Sequence, residues 1–170
     1  RLEVPKKKPA EEWLGMSVEE RRLHSKTRRG RQQANRNNDS DTVQFVEAMH
    51  IAGRIAVADQ FYTPMNMDWR GRVYGLTQFN FQREDRVRAL FLFANGEPIG
   101  EDGIYWLKLH VADCGAFEKV DKKTFEERVK WVDENLALIV DYVKRPLFNT
   151  GWTKADAPFL FLAACRELVA

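Results

Sequence analysis

Cysteine, histidine and net charge are all scarce in this chain, and each scarcity removes a class of function. The two cysteines, Cys114 and Cys165, stand in apolar helical contexts without CxxC spacing. That pattern fits reduced, buried thiols and implies neither a disulfide framework nor a thiolate metal site. The three histidines, His24, His50 and His110, lie far apart, with no catalytic signature around either cysteine, so a nucleophile–histidine–carboxylate site is not indicated. His50 has no ligand-spaced partner and reads as an ordinary polar-face residue. The formal charge of +2 is nearly balanced, so any nucleic-acid footprint must come from locally clustered charge. No run is long enough to span a membrane, and residues 1–12 lack the apolar centre of a signal peptide. Walker A, GxGxxG and HExxH patterns are absent, as are repeats and low-complexity tracts. These absences lead to the expectation of a soluble chain in a reducing, cytoplasmic compartment, with no membrane partner.

What remains is a chain of 170 residues, 44% hydrophobic, enough to bury a core as one domain or one domain plus an arm. The expected class is α+β, predominantly helical. Residues 1–41 read as a basic, partly flexible arm: Lys6, Lys7 and Lys8 lie between prolines, and Ser17 with Glu20 forms a capping box that starts a short helix. Arg21, Arg22, Lys26, Arg28, Arg29, Arg31 and Arg36 then share a window with no carboxylate, a local positive field equally open to nucleic acid and to solvent. Residues 35–41 are polar and turn-like. Asp41 and Gln44 then open a helix over 42–60, with Phe45, Met49, Ala52 and Ala56 on one face.

Helical period returns at 84–94, led by Arg83, Arg86 and Arg88, which oppose the macrodipole unless an anion or solvent meets them. A further helix is expected over 104–112. After it comes a long one capped by Asp121 or Thr124 and stopped by Pro146, with a buried stripe of Phe125, Val129, Val132, Leu136, Ile139, Val140 and Val143. Trp152 is expected to pack. Thr153 with Asp156 is expected to start a last helix, whose apolar run from Leu160 to Cys165 has no stop signal before Ala170. A piece of something longer is therefore expected, with that run exposed as an apolar patch.

The organising stretch is FYTPMNMDWRGRVY, Phe61 to Tyr74. Aromatic residues lead into a turn signal, and Arg70 and Arg72 flank Gly71. Glycine lets a backbone approach a ligand closely, and planar guanidinium forks match phosphate oxygens. Arginines around a glycine also occur in ordinary hairpin turns. By themselves the residues support a phosphate-binding helical module.

The run PMNMDWRGRVYGL is followed by FNFQ, GEPIG, GIYWLKLHVADC, the FEER helix and DAPFLFLAAC. In order and spacing this series resembles the single-subunit DNA-dependent RNA polymerases of bacteriophages and their mitochondrial relatives, from about Ala34 onward. The resemblance implies part of a right-hand polymerase fold, with a short extended segment at DWRGRVY. Residues 42–60 would lead from thumb into palm, and 61–170 would begin the palm. It implies that Asp68, Arg70, Gly71, Arg72 and Tyr74 lie along the RNA–DNA hybrid, with Arg72 foremost. Arg88 would approach the DNA template, and Lys119 the triphosphate of the incoming ribonucleoside triphosphate. It also implies Mg2+ for the parent enzyme, held by paired aspartates in a part of the family's sequence that follows the last match here. No catalytic residue and no metal ligand is expected within the chain, which on its own would be inactive and would depend on the remainder of the polymerase. A nucleic-acid-binding module without chemistry and a docking piece are the alternatives.

Overall fold

The computed structural model describes every residue except Glu101. The chain forms two compact units, Arg1–Arg54 and Ile55–Ala170. In the first, α1 (Ala10–Gly15) is followed by α2 (Val18–Ile55), a helix of 38 residues. The capping box at its start is present. Ser17 N–H donates to Glu20 at 2.8 Å and Glu20 N–H to the Ser17 hydroxyl at 3.2 Å, satisfying two amides that the helix leaves open.

The helix so opened is long, and the turn expected over 35–41 does not form. Turn-prone side chains break a helix when they bond their own backbone, and here several find helical partners four residues away. Gln33 donates to Asn37 at 2.8 Å and Gln44 to Ser40 at 3.2 Å. Others hold the N-terminal segment: Asn35 exchanges two amide bonds with Leu2 at 2.7 and 2.8 Å, and Asp39 pairs with Arg1 at 2.8 Å. Arg28 donates to the Pro5 carbonyl at 3.1 Å and Arg31 to that of Glu3 at 2.8 Å. The segment expected to be a loose arm is therefore pinned along α2, partly by arginines of the basic cluster. The stripe of Phe45, Val46 and Met49 lies on α2 as expected but is exposed, and the helix ends at Ile55, short of Asp59.

The second unit is α+β. Strands β1 (Met65–Met67) and β2 (Val73–Gly75) pair antiparallel, Asn66 opposite Tyr74, at the stretch expected to be extended. Helices α3 (Asp85–Arg88), α4 (Gly103–Gly115), α5 (Phe125–Glu134), α6 (Leu136–Lys144) and α7 (Pro158–Val169) follow. Short 3-10 segments lie at Phe117–Lys122 and Thr150–Lys154. Helix α4 packs on α5 and α7, and α6 on α7. Val111, Val120, Val132, Ile139, Phe161 and Cys165 are fully buried between them. Phe117 stacks on Trp131 with ring centroids 5.7 Å apart and meets Phe161 edge-on at 5.4 Å. Gly115 permits this closeness, since a Cβ there would lie 3.0 Å from the Phe161 ring.

Several expected boundaries move, each for a tertiary reason. The helix expected over 84–94 is one turn, because Phe91 is drawn into a cluster with Phe61, Phe79 and Phe81 at 5.6, 4.8 and 6.4 Å. The long helix is capped by Thr124 and Glu127 and not by Asp121, which pairs with Lys122 at 2.6 Å. It breaks at Asn135, whose side chain donates to the Trp131 carbonyl at 2.8 Å and competes with the ladder. Phe125 and Leu136 of the expected buried stripe are exposed. Trp152 packs as expected, its indole N–H donating to the Pro146 carbonyl at 2.9 Å. Thr153 does not start the last helix; it bonds the Thr150 carbonyl at 2.7 Å, and Pro158 opens α7. Phe161, Leu162 and Cys165 are buried by the unit's own core, so the apolar patch expected there is not exposed.

The start of α7 is closed from a distance. The Asp85 carboxylate accepts from Phe159 N–H at 2.9 Å and from Leu160 N–H at 2.8 Å, across 74 and 75 residues. Asp85→Ala is expected to cost about 1–2 kcal/mol, the loss of a helix cap, seen as a thermal midpoint lower by roughly 2–8 °C. An unchanged melt would show that solvent satisfies those amides equally well.

Candidate nucleic-acid interface

The turn Asp68–Arg72 is a three-residue hairpin loop. Gly71 N–H donates to the Asp68 carbonyl at 3.0 Å, and Asp68 N–H to the Arg72 carbonyl at 2.9 Å. Gly71 has φ 78°, the left-handed position that follows a type I turn in such loops and that glycine fills without strain. The Asp68 carboxylate organises the rest. One oxygen accepts from the Arg70 and Arg72 backbone amides, each at 2.9 Å, and the other from the Arg70 guanidinium at 3.0 and 3.1 Å. The bond from the Arg72 amide is the largest influence on this carboxyl; burial opposes it, and the bonds from the Arg70 side chain and amide and from the Tyr74 side chain add to it, so that the group lies below the usual range.

The two arginines thus differ. Arg70 is committed to Asp68, with its guanidinium 5.4 Å from the centre of the Trp69 ring. Trp69 itself is 91% exposed. Arg72 is exposed, and its guanidinium makes no hydrogen bond or ion pair among the described residues. Gln82 braces the outer edge of β2, accepting from Gly75 N–H at 2.9 Å and donating to the Val73 carbonyl at 2.8 Å. Gly75 lies so close to Asn80 that a Cβ there would meet its side chain at 2.7 Å. Neither Gln82 nor Asp85 was marked by local pattern, since each acts on backbone far away in sequence.

Of the residues singled out from the sequence, Asp68, Arg70, Gly71, Arg72 and Tyr74 are gathered on this one hairpin. Arg88 and Lys119 stand elsewhere, both exposed, on α3 and in the 3-10 segment after α4. The Lys119 backbone is unusual. Ala116, Glu118 and Lys119 have φ of 46°, 51° and 61°, a region costly for residues other than glycine and often retained where function requires it. Asp156 N–H and Ala157 N–H donate to the Gly115 and Cys114 carbonyls, both at 3.1 Å, tying the end of α4 to the approach to α7. Among the described residues no three histidine, cysteine or carboxylate side chains converge to hold a metal ion.

One proximity escaped the sequence. The Cys114 sulfur lies 3.7 and 3.8 Å from the two ring nitrogens of His110, one helical turn away. The pair is not an activated nucleophile. Burial, then the Asp113 and Asp85 charges, push the Cys114 thiol up to about 11, and burial pushes Cys165 up to about 12.

The helical part of the second unit matches a known class. Residues 97–170 match the family model for DNA-dependent RNA polymerase, and the chain belongs to the phage-type, single-subunit branch of that family. Over 116 residues it is 47% identical to T7 RNA polymerase of Escherichia phage T7, an alignment covering 68% of this chain and 13% of that one. The mitochondrial DNA-directed RNA polymerase of Neurospora crassa is 45% identical over 118 residues, 68% of this chain and 8% of that one. The corresponding enzyme of Schizosaccharomyces pombe is 39% identical over 131 residues, 76% and 11% respectively. The chain therefore spans about an eighth of the phage relative's length. No helix among the described residues is long and apolar enough to cross a membrane.

Two outcomes follow for the site's chemistry. Because the Asp68 carboxyl is depressed, its contribution is complete above the ordinary carboxylate range and is lost as pH falls through the lowered value. The Arg70 and Arg72 amide resonances should move together over that acid interval. Asp68→Ala should show the shifted positions at neutral pH, whereas Asp68→Asn, which keeps an acceptor, should show part of the shift. Iodoacetamide at neutral pH should leave Cys114 and Cys165 unmodified in the folded chain and alkylate both in denaturant, as mass spectrometry would read. Rapid native labelling of Cys114 would mean that His110 does activate it.

Proposed function

We propose that this chain is the part of a template-directed RNA polymerase that leads from thumb into palm and grips nucleic acid through the Asp68–Arg72 hairpin. The observation carrying this reading is the contrast between the arginines: Asp68 immobilises the turn and Arg70, while Arg72 projects an unpaired guanidinium from a preformed loop. A fork held by rigid backbone loses little freedom when it meets a phosphate. In this reading Arg72 contacts a backbone phosphate of the RNA–DNA hybrid. Asp68, Gly71 and Tyr74 shape the loop, Arg70 adds positive field, and Arg88 faces the template. Lys119, held in its costly backbone conformation, reaches the triphosphate of the incoming ribonucleotide.

The parent enzyme's phosphoryl transfer calls for Mg2+. The described residues do not form a ligand set for it, so no step is assigned to metal among them. The purified chain should incorporate no ribonucleotide, with the catalytic carboxylates contributed by the remainder of the polymerase.

Arg72→Ala should weaken binding of an RNA–DNA hybrid regardless of base sequence. It should also lower the slope of log affinity against log salt by about one, since one phosphate contact releases about one counterion. Arg72→Lys should recover part of the affinity, an ammonium lacking the two-pronged geometry. Thermal unfolding of each variant separates binding from folding. A folded Arg72→Ala chain with unaltered affinity and slope would remove Arg72 from the interface.

A further inference from the structure

The first unit holds a cavity of about 560 Å³, lined by Lys7, Lys8, Trp13, His24, Arg28 and Arg29 together with two small residues. It lies between the pinned N-terminal segment and the start of α2. The Arg28 bond to the Pro5 carbonyl and the edge-on packing of Trp13 against His24, with centroids 5.9 Å apart, keep its walls in place. Four cationic side chains face this space and no carboxylate lines it. Lys8 is partly neutralised by Glu12, with which it pairs at 3.0 Å. His24 Nε2 is buried and has no hydrogen-bond partner, a condition that costs free energy until an acceptor or donor arrives. The Lys7 and Arg29 side chains make no hydrogen bond or ion pair among the described residues.

We infer that this cavity binds a nucleoside phosphate, at a site separate from the Asp68–Arg72 hairpin. Like charges held around one concavity repel, and an anion removes that cost while gaining charge-assisted bonds from several donors. Phosphate oxygens suit the lysines and the guanidinium forks. The volume exceeds what one phosphate fills and falls in the range of small-molecule sites. Trp13 supplies the aromatic surface on which a base stacks, with adjacent arginines adding cation–π attraction. A free nucleotide and a nucleotide within an unpaired strand present the same chemistry.

The test is calorimetric titration of the full 170-residue chain with adenosine 5′-monophosphate, inorganic phosphate, adenosine and an unpaired oligothymidylate. The His24 ring resonances are followed in parallel. Expected are saturable binding of the monophosphate, weaker binding of phosphate and of adenosine, and a shift of the His24 resonances. Lys7→Gln with Arg29→Gln, neither of which removes an internal bond, should lower affinity about tenfold or more with circular dichroism and melting unchanged. Competition between oligothymidylate and the monophosphate would identify the strand as the source, and indifference would identify the free nucleotide. The proposal is overturned by absence of monophosphate binding, by phosphate binding equally well, or by binding that the double variant leaves intact. Since Arg72→Ala should not alter monophosphate binding, failure here and failure at the hairpin are separable.

Discussion

A helix that buries one face must also satisfy the amides at its start, and in the second unit that requirement is met by a residue 74 positions earlier in the chain. Helix α7 carries Phe161, Leu162, Ala164 and Cys165 into the core, but Pro158 and Ala157 at its beginning offer no side-chain acceptor. Asp85 supplies both needed bonds. The same carboxylate fixes α3, which continues through Phe91 into the aromatic cluster of Phe61, Phe79 and Phe81. That cluster lies beside Gln82, which braces the hairpin. One acidic residue thus links core, connecting segment and candidate interface, and satisfies two amides that the helix leaves open.

The hairpin repeats this use of a carboxylate at close range. Asp68 turns its oxygens inward onto two backbone amides and one guanidinium. Its place in the DWRGR run is therefore structural first: it converts a flexible glycine turn into a fixed mount for Arg72. A phosphate-binding arginine on a floppy loop would lose much of its interaction to ordering entropy. The negative charge of Asp68 is spent on Arg70, so it does not repel an approaching phosphate as an exposed carboxylate would.

The basic N-terminal unit shows how charge that looks idle in sequence acquires work by packing. Arg21 donates to the carbonyls of Leu14 and Met16, and Arg28 and Arg31 to those of Pro5 and Glu3. These arginines serve as staples. The rest of the run is left outward, and part of it is gathered with Lys7 and Lys8 around one cavity. Division of a single charge cluster between internal carbonyls and a shared void is a property of the folded unit alone.

The residues by themselves determined what depends on near neighbours. The Ser17–Glu20 box, the turn at Gly71 and the buried cysteines were readable, because capping, turn chemistry and apolar burial act within a few residues. The polymerase family was readable from the ordered series of motifs around DWRGRVY. What tertiary structure decided were the outcomes of long-range competition. Helix α2 runs through a polar stretch because Leu2 and Arg1 return to bond it. The segment after Asp85 stops being helical because Phe91 is worth more in an aromatic cluster. Helix α7 is covered by α4 and α6. Arg72 and not Arg70 is left free because Asp68 can close on only one guanidinium. For α2 and for the segment after Asp85, local propensities differ by only about 1 kcal/mol per residue, and partners remote in sequence select between the conformations.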